Sequence, residues 1–202
     1  GFDRINVPSV LTTLVTDELD FPNLSMVGVD DRAAAYTAVD YLIRQGHRKI
    51  AVLGGPVTSY PSLMRRKGAQ QAMEDAGILF NDKLYGLSNY DFESAYHAMN
   101  SLLARRAEFT ALFAMSDVIA FGAIRALVSA GLRVPEDVSV IGFDGITMSR
   151  YCVPVMTTIV QPSEQIALQS IELLVRQIEH GSPAQTVTLQ PELQQGESVR
   201  AI

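Results

Sequence analysis

The sequence predicts an α/β fold built on a doubly wound, mostly parallel sheet. Apolar runs of strand length alternate with segments of helical periodicity, the pattern of parallel strands joined by right-handed crossovers. Four of those runs stop at residues that an apolar strand has no use for. Lys49–Leu53 runs into Gly54-Gly55-Pro56, Leu84–Ser88 into Asn89-Tyr90, Ala111–Met115 into Ser116-Asp117, and Val138–Phe143 into Asp144-Gly145. In an open parallel sheet, ligands bind just beyond the carboxyl ends of the strands. Tyr90, Ser116, Asp117 and Asp144 all fall at such ends, so the pattern predicts a ligand cleft.

The elements follow in order. Pro8–Val15 and Leu24–Val29 read as strands, separated by a polar loop with Asp17, Asp20 and Pro22. Asp30 or Asp31 is placed to cap a helix reaching about Gln45. Its apolar positions Ala35, Ala38, Val39, Leu42 and Ile43 keep helical spacing. Gly46 suits the turn after it, and His47, Arg48 and Lys49 suit the negative helix end. After the strand at Lys49–Leu53, Ser62 opens a helix to Ala76. The strand Leu84–Ser88 precedes a helix over Glu93–Arg105, with Ala95, Ala98, Met99 and Leu102 on one face. Ala111–Met115 is a strand, and Asp117 is placed to cap a helix over Val118–Ala130. Val138–Phe143 and Met156–Val160 are further strands. A long helix follows over Ser163–Glu179, its inner side expected at Ile166, Ser170, Leu173, Leu174 and Ile178. Thr186–Gln190 and Leu193–Arg200 close the chain as short strands.

Composition removes several function classes. Hydrophobic residues make up 48% and charged residues 19% of the 202, a globular balance. No apolar run approaches the roughly 20 residues needed to span a bilayer, so no membrane partner is expected. The start, GFDRINVPSV, lacks a basic segment followed by an apolar one, and no secretory signal is read there. The net charge of −6 opposes non-specific binding of nucleic acid by this segment. Cys152 is alone, which fits a reduced cytoplasm and excludes an intrachain disulfide and a multi-cysteine metal site. His47, His97 and His180 form no ligand-spaced pair, and HExxH, GxSxG and phosphate loops are absent. No cofactor and no catalysis are expected: Asp117 and Asp144 form a carboxylate pair without a nucleophile or metal set.

Several residues carry more than one reading. Asp144 is either a ligand-binding carboxylate or the first half of an Asp-Gly turn. Arg65, one turn into its helix, either returns its guanidinium fork over the cleft or lies on the surface beside Arg66 and Lys67. Tyr90 is either an aromatic wall with a phenol for a ligand hydroxyl or a half-buried loop residue. Asp117 is a helix cap, a ligand contact, or both.

The wording of four segments points further. GHRKIAVLGGP (46–56), RRKGAQQAMEDAGI (65–78), SDVIAFGAIRALVSAGLRVPEDVSVIGFD (116–144) and MTTIVQP (156–162) resemble the lac/galactose/purine-repressor family of bacterial transcription regulators. The resemblance implies a periplasmic-binding-protein-like core of two α/β subdomains with a small-molecule effector between them. Residues 30–160 and 191–202 would form a nearly complete C-terminal effector-binding subdomain. Residues 1–29 and 161–190 would be a partial N-terminal one, with an exposed sheet edge. The helix-turn-helix and hinge helix of that family are not in the sequence, so DNA would be met only through the missing N-terminal domain.

The resemblance places effector contacts at Arg65, Asp144, Asp117 and Ser116, with weaker ones at Ser59 and Gln161. Gln161 also stands at a subdomain crossover and reads equally as a hinge residue, while Asp30 reads as a helix cap. Phe121 and Tyr151 match a homodimer interface, or else belong to the core, and Cys152 beside them reads as a small buried hydrophobe. The expected effector is a sugar, a sugar phosphate, a nucleobase or similar. The rival is an extracytoplasmic sugar-binding protein of a transport system.

Overall fold

The structure, a computed structural model, describes residues 6–202. The chain divides into two compact units. The smaller holds the chain up to Asp30 together with Gln161–Pro191, and the larger holds Asp31–Val160 and Glu192–Ile202.

In the smaller unit, β1 (Ser9–Thr12), β2 (Leu24–Val29) and a late strand, Thr186–Leu189, form a three-stranded parallel sheet with β2 in the centre. Both other strands are edges among the described residues. The first strand is shorter than its apolar run because Thr13 turns into the left-handed region at φ 63°. One long helix, Ser163–His180, lies on this sheet. Its buried side is Ile166, Ser170, Leu173 and Gln177; of the other expected inner positions, Leu174 is half-buried, while Ile178 is exposed and that expectation is corrected. Leu168, Ile171, Val175 and Ile178 face outward instead. The segment carries two apolar stripes at helical spacing, and periodicity alone does not choose between them. Gly181, in the left-handed conformation at φ 61°, ends the helix.

The larger unit begins with α1 (Asp31–Arg44) and β3 (Ile50–Gly54). There follow α2 (Tyr60–Asp75), β4 (Tyr85–Leu87), α3 (Phe92–Ala104) and β5 (Ala111–Ala114). The chain continues through α4 (Asp117–Ser129), β6 (Ser139–Asp144) and β7 (Thr157–Val160). The long helix of the smaller unit is therefore α5, its late strand is β8, and β9 (Glu192–Gln194) completes the larger unit. The larger sheet runs β4-β3-β5-β6-β7-β9, parallel throughout except that β9 pairs antiparallel with β7. β3, β5 and the first five residues of β6 are wholly buried, as strands covered on both faces must be. α1 packs beside α2 and α3 beside α4, burying Leu42, Met73, Met99, Leu102 and Leu127 in the core around Leu53, Phe113 and Phe143.

Two expected caps are corrected. The helix expected from Ser62 starts at Tyr60, because Ser59 accepts the Ser62 N–H and Pro61 fits the first turn. The α4 cap is Ser116, whose hydroxyl accepts the Ile119 N–H at 3.1 Å; Asp117 is the first residue inside the helix. The closing strand expected over Leu193–Arg200 stops at Gln194, and Val199 packs against the core from irregular chain.

Candidate functional site

Strand order positions the site. The chain enters the larger sheet at β3, moves outward to β4, and then adds β5, β6 and β7 on the other side. Such a reversal, beside β3, is where open α/β sheets place a ligand at the carboxyl ends of their strands. Gly54-Gly55, Ser88–Tyr90, Met115–Asp117 and Asp144 line the ends of β3, β4, β5 and β6 in turn.

At the centre lies Arg65, which is buried rather than on the surface beside Arg66. Its Nε donates to Asp31 Oδ1 at 2.7 Å, and one terminal nitrogen donates to the Met115 carbonyl. The same nitrogen stands 3.5 Å from Asp144 Oδ1, an ion pair across the rim. The guanidinium lies over the Phe143 ring, 3.7 Å from its centroid. Arg65 thus ties α1, β5 and β6 together, and Arg65 and Asp144 meet as the strand-end pattern requires. Asp144 keeps about a quarter of its side chain open to solvent, 28%. Its backbone sits at φ 107°, an unfavourable region for a non-glycine residue.

Asp117 does different work. It is fully buried; Oδ1 accepts from the Thr158 hydroxyl at 2.6 Å and Oδ2 from the Ile146 N–H at 2.8 Å. The carboxylate therefore pins the turn after Asp144 to α4 and β7. Gly142 makes room for it, since a Cβ there would come within 2.2 Å of Oδ1. Burial pushes the Asp117 carboxyl up to about 6, nearby Asp144 adds to this, and the Thr158, Ile146 and Gly145 hydrogen bonds oppose it.

Tyr90 sits at φ 60°, and its ring packs flush on the Gly55 backbone, where any Cβ would come within 2.1 Å of the ring. The phenol oxygen is buried and has no hydrogen-bond partner. It points into the protein, so the expectation that it is presented to a ligand hydroxyl is corrected; the ring remains half-exposed. Ser62 and Ser88 hydroxyls donate to the carbonyls of Gly55 and Gly54 at 3.2 and 3.0 Å, fixing the turn beneath that ring. Ser59 and Ser116 are occupied as helix caps. Gln161 follows β7 directly and belongs to the smaller unit.

Phe121 is half-buried against the core and Tyr151 is 76% exposed. Cys152 is half-buried rather than buried, its thiol donating to the carbonyls of Ser149 and Pro154. Sequence reasoning read Asp31 only as a cap and missed Thr158, Ser62 and Ser88. The pairing of Asp31 with Arg65 links residues 34 apart in sequence, which no local pattern records. Among the described residues no cluster of His, Cys, Asp or Glu suits a metal ion, and no helix is long and apolar enough to cross a membrane.

A parallel α/β unit with polar side chains gathered at the carboxyl ends of its strands has the architecture in which open α/β sheets take ligands. The periplasmic binding protein-like domain family matches residues 39–199. The chain is 37% identical over 199 residues to the HTH-type transcriptional regulator MalR of Clostridium butyricum, covering 98% of this chain and 59% of that one. A sugar-binding LacI-family regulator of Escherichia coli, solved in complex with phosphate, is 32% identical with a TM-score of 0.80 over 89% of this chain and 69% of that one. The transcriptional regulator CelR, solved with cellobiose, is 33% identical with a TM-score of 0.84 over 89% of this chain and 56% of that one. The chain belongs to the periplasmic binding protein-like domain family and, within it, to the LacI family of transcriptional regulators. It spans 50–62% of the length of the curated relatives it matches.

Proposed function

We propose that this chain is the effector-sensing part of a cytoplasmic, DNA-binding transcriptional regulator, and that the rim of the larger unit binds an uncharged, hydroxyl-rich metabolite such as a sugar. The observation that carries the reading is the convergence of Arg65 and Asp144 at the strand ends. The Asp144 carboxylate, about a quarter exposed, accepts from ligand hydroxyls, and the fixed guanidinium beside it donates to them. Because Arg65 shares its charge with Asp31 and Asp144, it suits neutral hydroxyls better than a phosphate. Asp117, Ser116 and Ser59 act beneath this surface, holding the turns that present it, and the Tyr90 ring face offers a stacking wall.

The relatives are named HTH-type transcriptional regulators, and the two solved structures are named for cellobiose and for sugar binding, which supports a regulator over a transport protein and over an enzyme. Larger unit and smaller unit correspond, in this reading, to the C-terminal effector subdomain and part of the N-terminal one, with Gln161 at the junction. Phe121 and Tyr151 serve a homodimer. DNA contact belongs to a helix-turn-helix domain. Effector binding shifts the balance between two conformations by its differential affinity, a coupling of about 1–3 kcal/mol.

A thermal-shift panel of neutral sugars (cellobiose, maltose, ribose) and their phosphates tests the reading. A true effector at 100 times its Kd adds about 2.7 kcal/mol of stability, roughly 5–11 °C for a chain of this size. Asp144→Ala should weaken that sugar about 10–150-fold, the loss of a charged hydrogen bond. Turnover of a bound sugar, or a shift unchanged in Asp144→Ala, contradicts it.

A further inference from the structure

The opposite end of the larger sheet holds a cavity of about 460 Å³. Lys83 precedes β4, Arg48 and Lys49 precede β3, and Arg105 and Arg106 precede β5, so this cavity opens at the amino ends of the strands. It is therefore on the other side of the sheet from the rim of Arg65 and Asp144. Five cations line it against one carboxylate, Glu108, in a chain of net charge −6. Glu108 is already paired with Lys49.

Arg48, Lys83 and Arg106 have no ion-pair partner among the described residues. Arg105 is held in place, donating to the carbonyls of Lys83 and Tyr85 at 3.2 and 2.8 Å. Arg106 takes φ 54°, the left-handed position after a helix where glycine is the usual residue. Its N–H donates to the Leu103 carbonyl at 3.0 Å, closing α3, and its side chain is exposed at the cavity mouth. The floor is apolar: Met73 and Leu84 are buried, Ile78 is half-buried, and Leu79 on the rim is 92% exposed. A volume of this order suits a metabolite, with an apolar bed for its body and a few charges to orient it.

We propose that this cavity binds a phosphate-bearing metabolite with a flat or apolar body, such as a nucleoside monophosphate. The phosphate sits among Lys83, Arg105 and Arg106, and the body lies on Ile78 and Leu79. It is a second site, distinct from the effector rim and independent of that rim's assignment.

The test is calorimetric titration of the full chain with AMP, adenosine and inorganic phosphate at low ionic strength. AMP should bind saturably, at least tenfold tighter than either adenosine or phosphate, and should weaken as salt is raised. Lys83→Glu combined with Arg106→Glu removes two exposed cations and should weaken AMP tenfold or more, with unfolding unchanged. Arg125→Glu, an exposed cation on α4, and Asp144→Ala should both leave AMP binding intact. Absence of saturable AMP binding overturns the proposal. So does binding that survives the double charge reversal, or binding that Asp144→Ala abolishes.

Discussion

Replacing Asp31 tests whether the buried Arg65 pair holds the rim together. Both side chains are almost wholly buried, 7% and 5% exposed, with 2.7 Å between the charged atoms. At an effective dielectric near 20, two unit charges at that distance attract by about 6 kcal/mol before desolvation is counted. Desolvation offsets much of this, so the pair itself adds little over an apolar replacement. Breaking it is another matter. Asp31→Ala leaves a buried guanidinium short of its main partner, which should destabilise by about 3–5 kcal/mol. In a chain of this length that lowers Tm by roughly 6–20 °C. Arg65→Met should fall in the same range, because it removes the charged hydrogen bond to Asp31 and forfeits the Phe143 stack. The double variant Asp31→Leu/Arg65→Met should be far less damaged than the sum of the singles. Urea unfolding of all four proteins closes the cycle. A loss below about 1 kcal/mol in either single variant, or simple additivity in the double, refutes a buried, mutually dependent pair.

Asp117 predicts a pH dependence. Its folded value near 6 stands above the ordinary 3.8, so the folded state favours the protonated form. The stability this contributes is full below about pH 3.8 and is lost as pH rises through about 6. Wild type should lose about 1 kcal/mol relative to Asp117→Asn between pH 5 and pH 7; parallel stability profiles for the two proteins would contradict this. Tyr90→Phe removes a buried hydroxyl that has no partner, and should raise stability by about 1 kcal/mol; a lower Tm would mean the hydroxyl is satisfied. Gly55→Ala places a methyl group within 2.1 Å of the Tyr90 ring, so it should displace the ring and cost about 1–3 kcal/mol. Unchanged Tyr90 fluorescence and unchanged Tm would show that the ring is not packed there.

Much of the larger unit was legible because its strands obey two local rules at once: continuous apolar runs, then an abrupt polar or glycine stop. The ends of β3, β5 and β6 fall within about a residue of the expected positions. Cap chemistry was less legible where two suitable residues adjoin. Ser116 and Asp117 both qualify as a cap, and only the side chain's reach to Thr158 frees Asp117 for another task. α5 was misread for a related reason, since both of its faces carry apolar residues at helical spacing. Within the site, Arg65 and Asp144 were found from their strand-end and helix-start positions. Asp31 and Thr158 were not, since their roles depend on contacts across 34 and 41 residues of chain. The direction of the Tyr90 phenol depends on a backbone angle that a tyrosine rarely adopts.

The most direct measurement is hydrogen exchange with mass spectrometry, with and without the sugar that gives the largest thermal shift. A rim built at the carboxyl ends of β3 to β6 predicts protection concentrated in peptides covering residues 54–65, 88–91, 115–117 and 143–147. Protection confined to other peptides, with those four unchanged, would contradict a binding site at the strand ends.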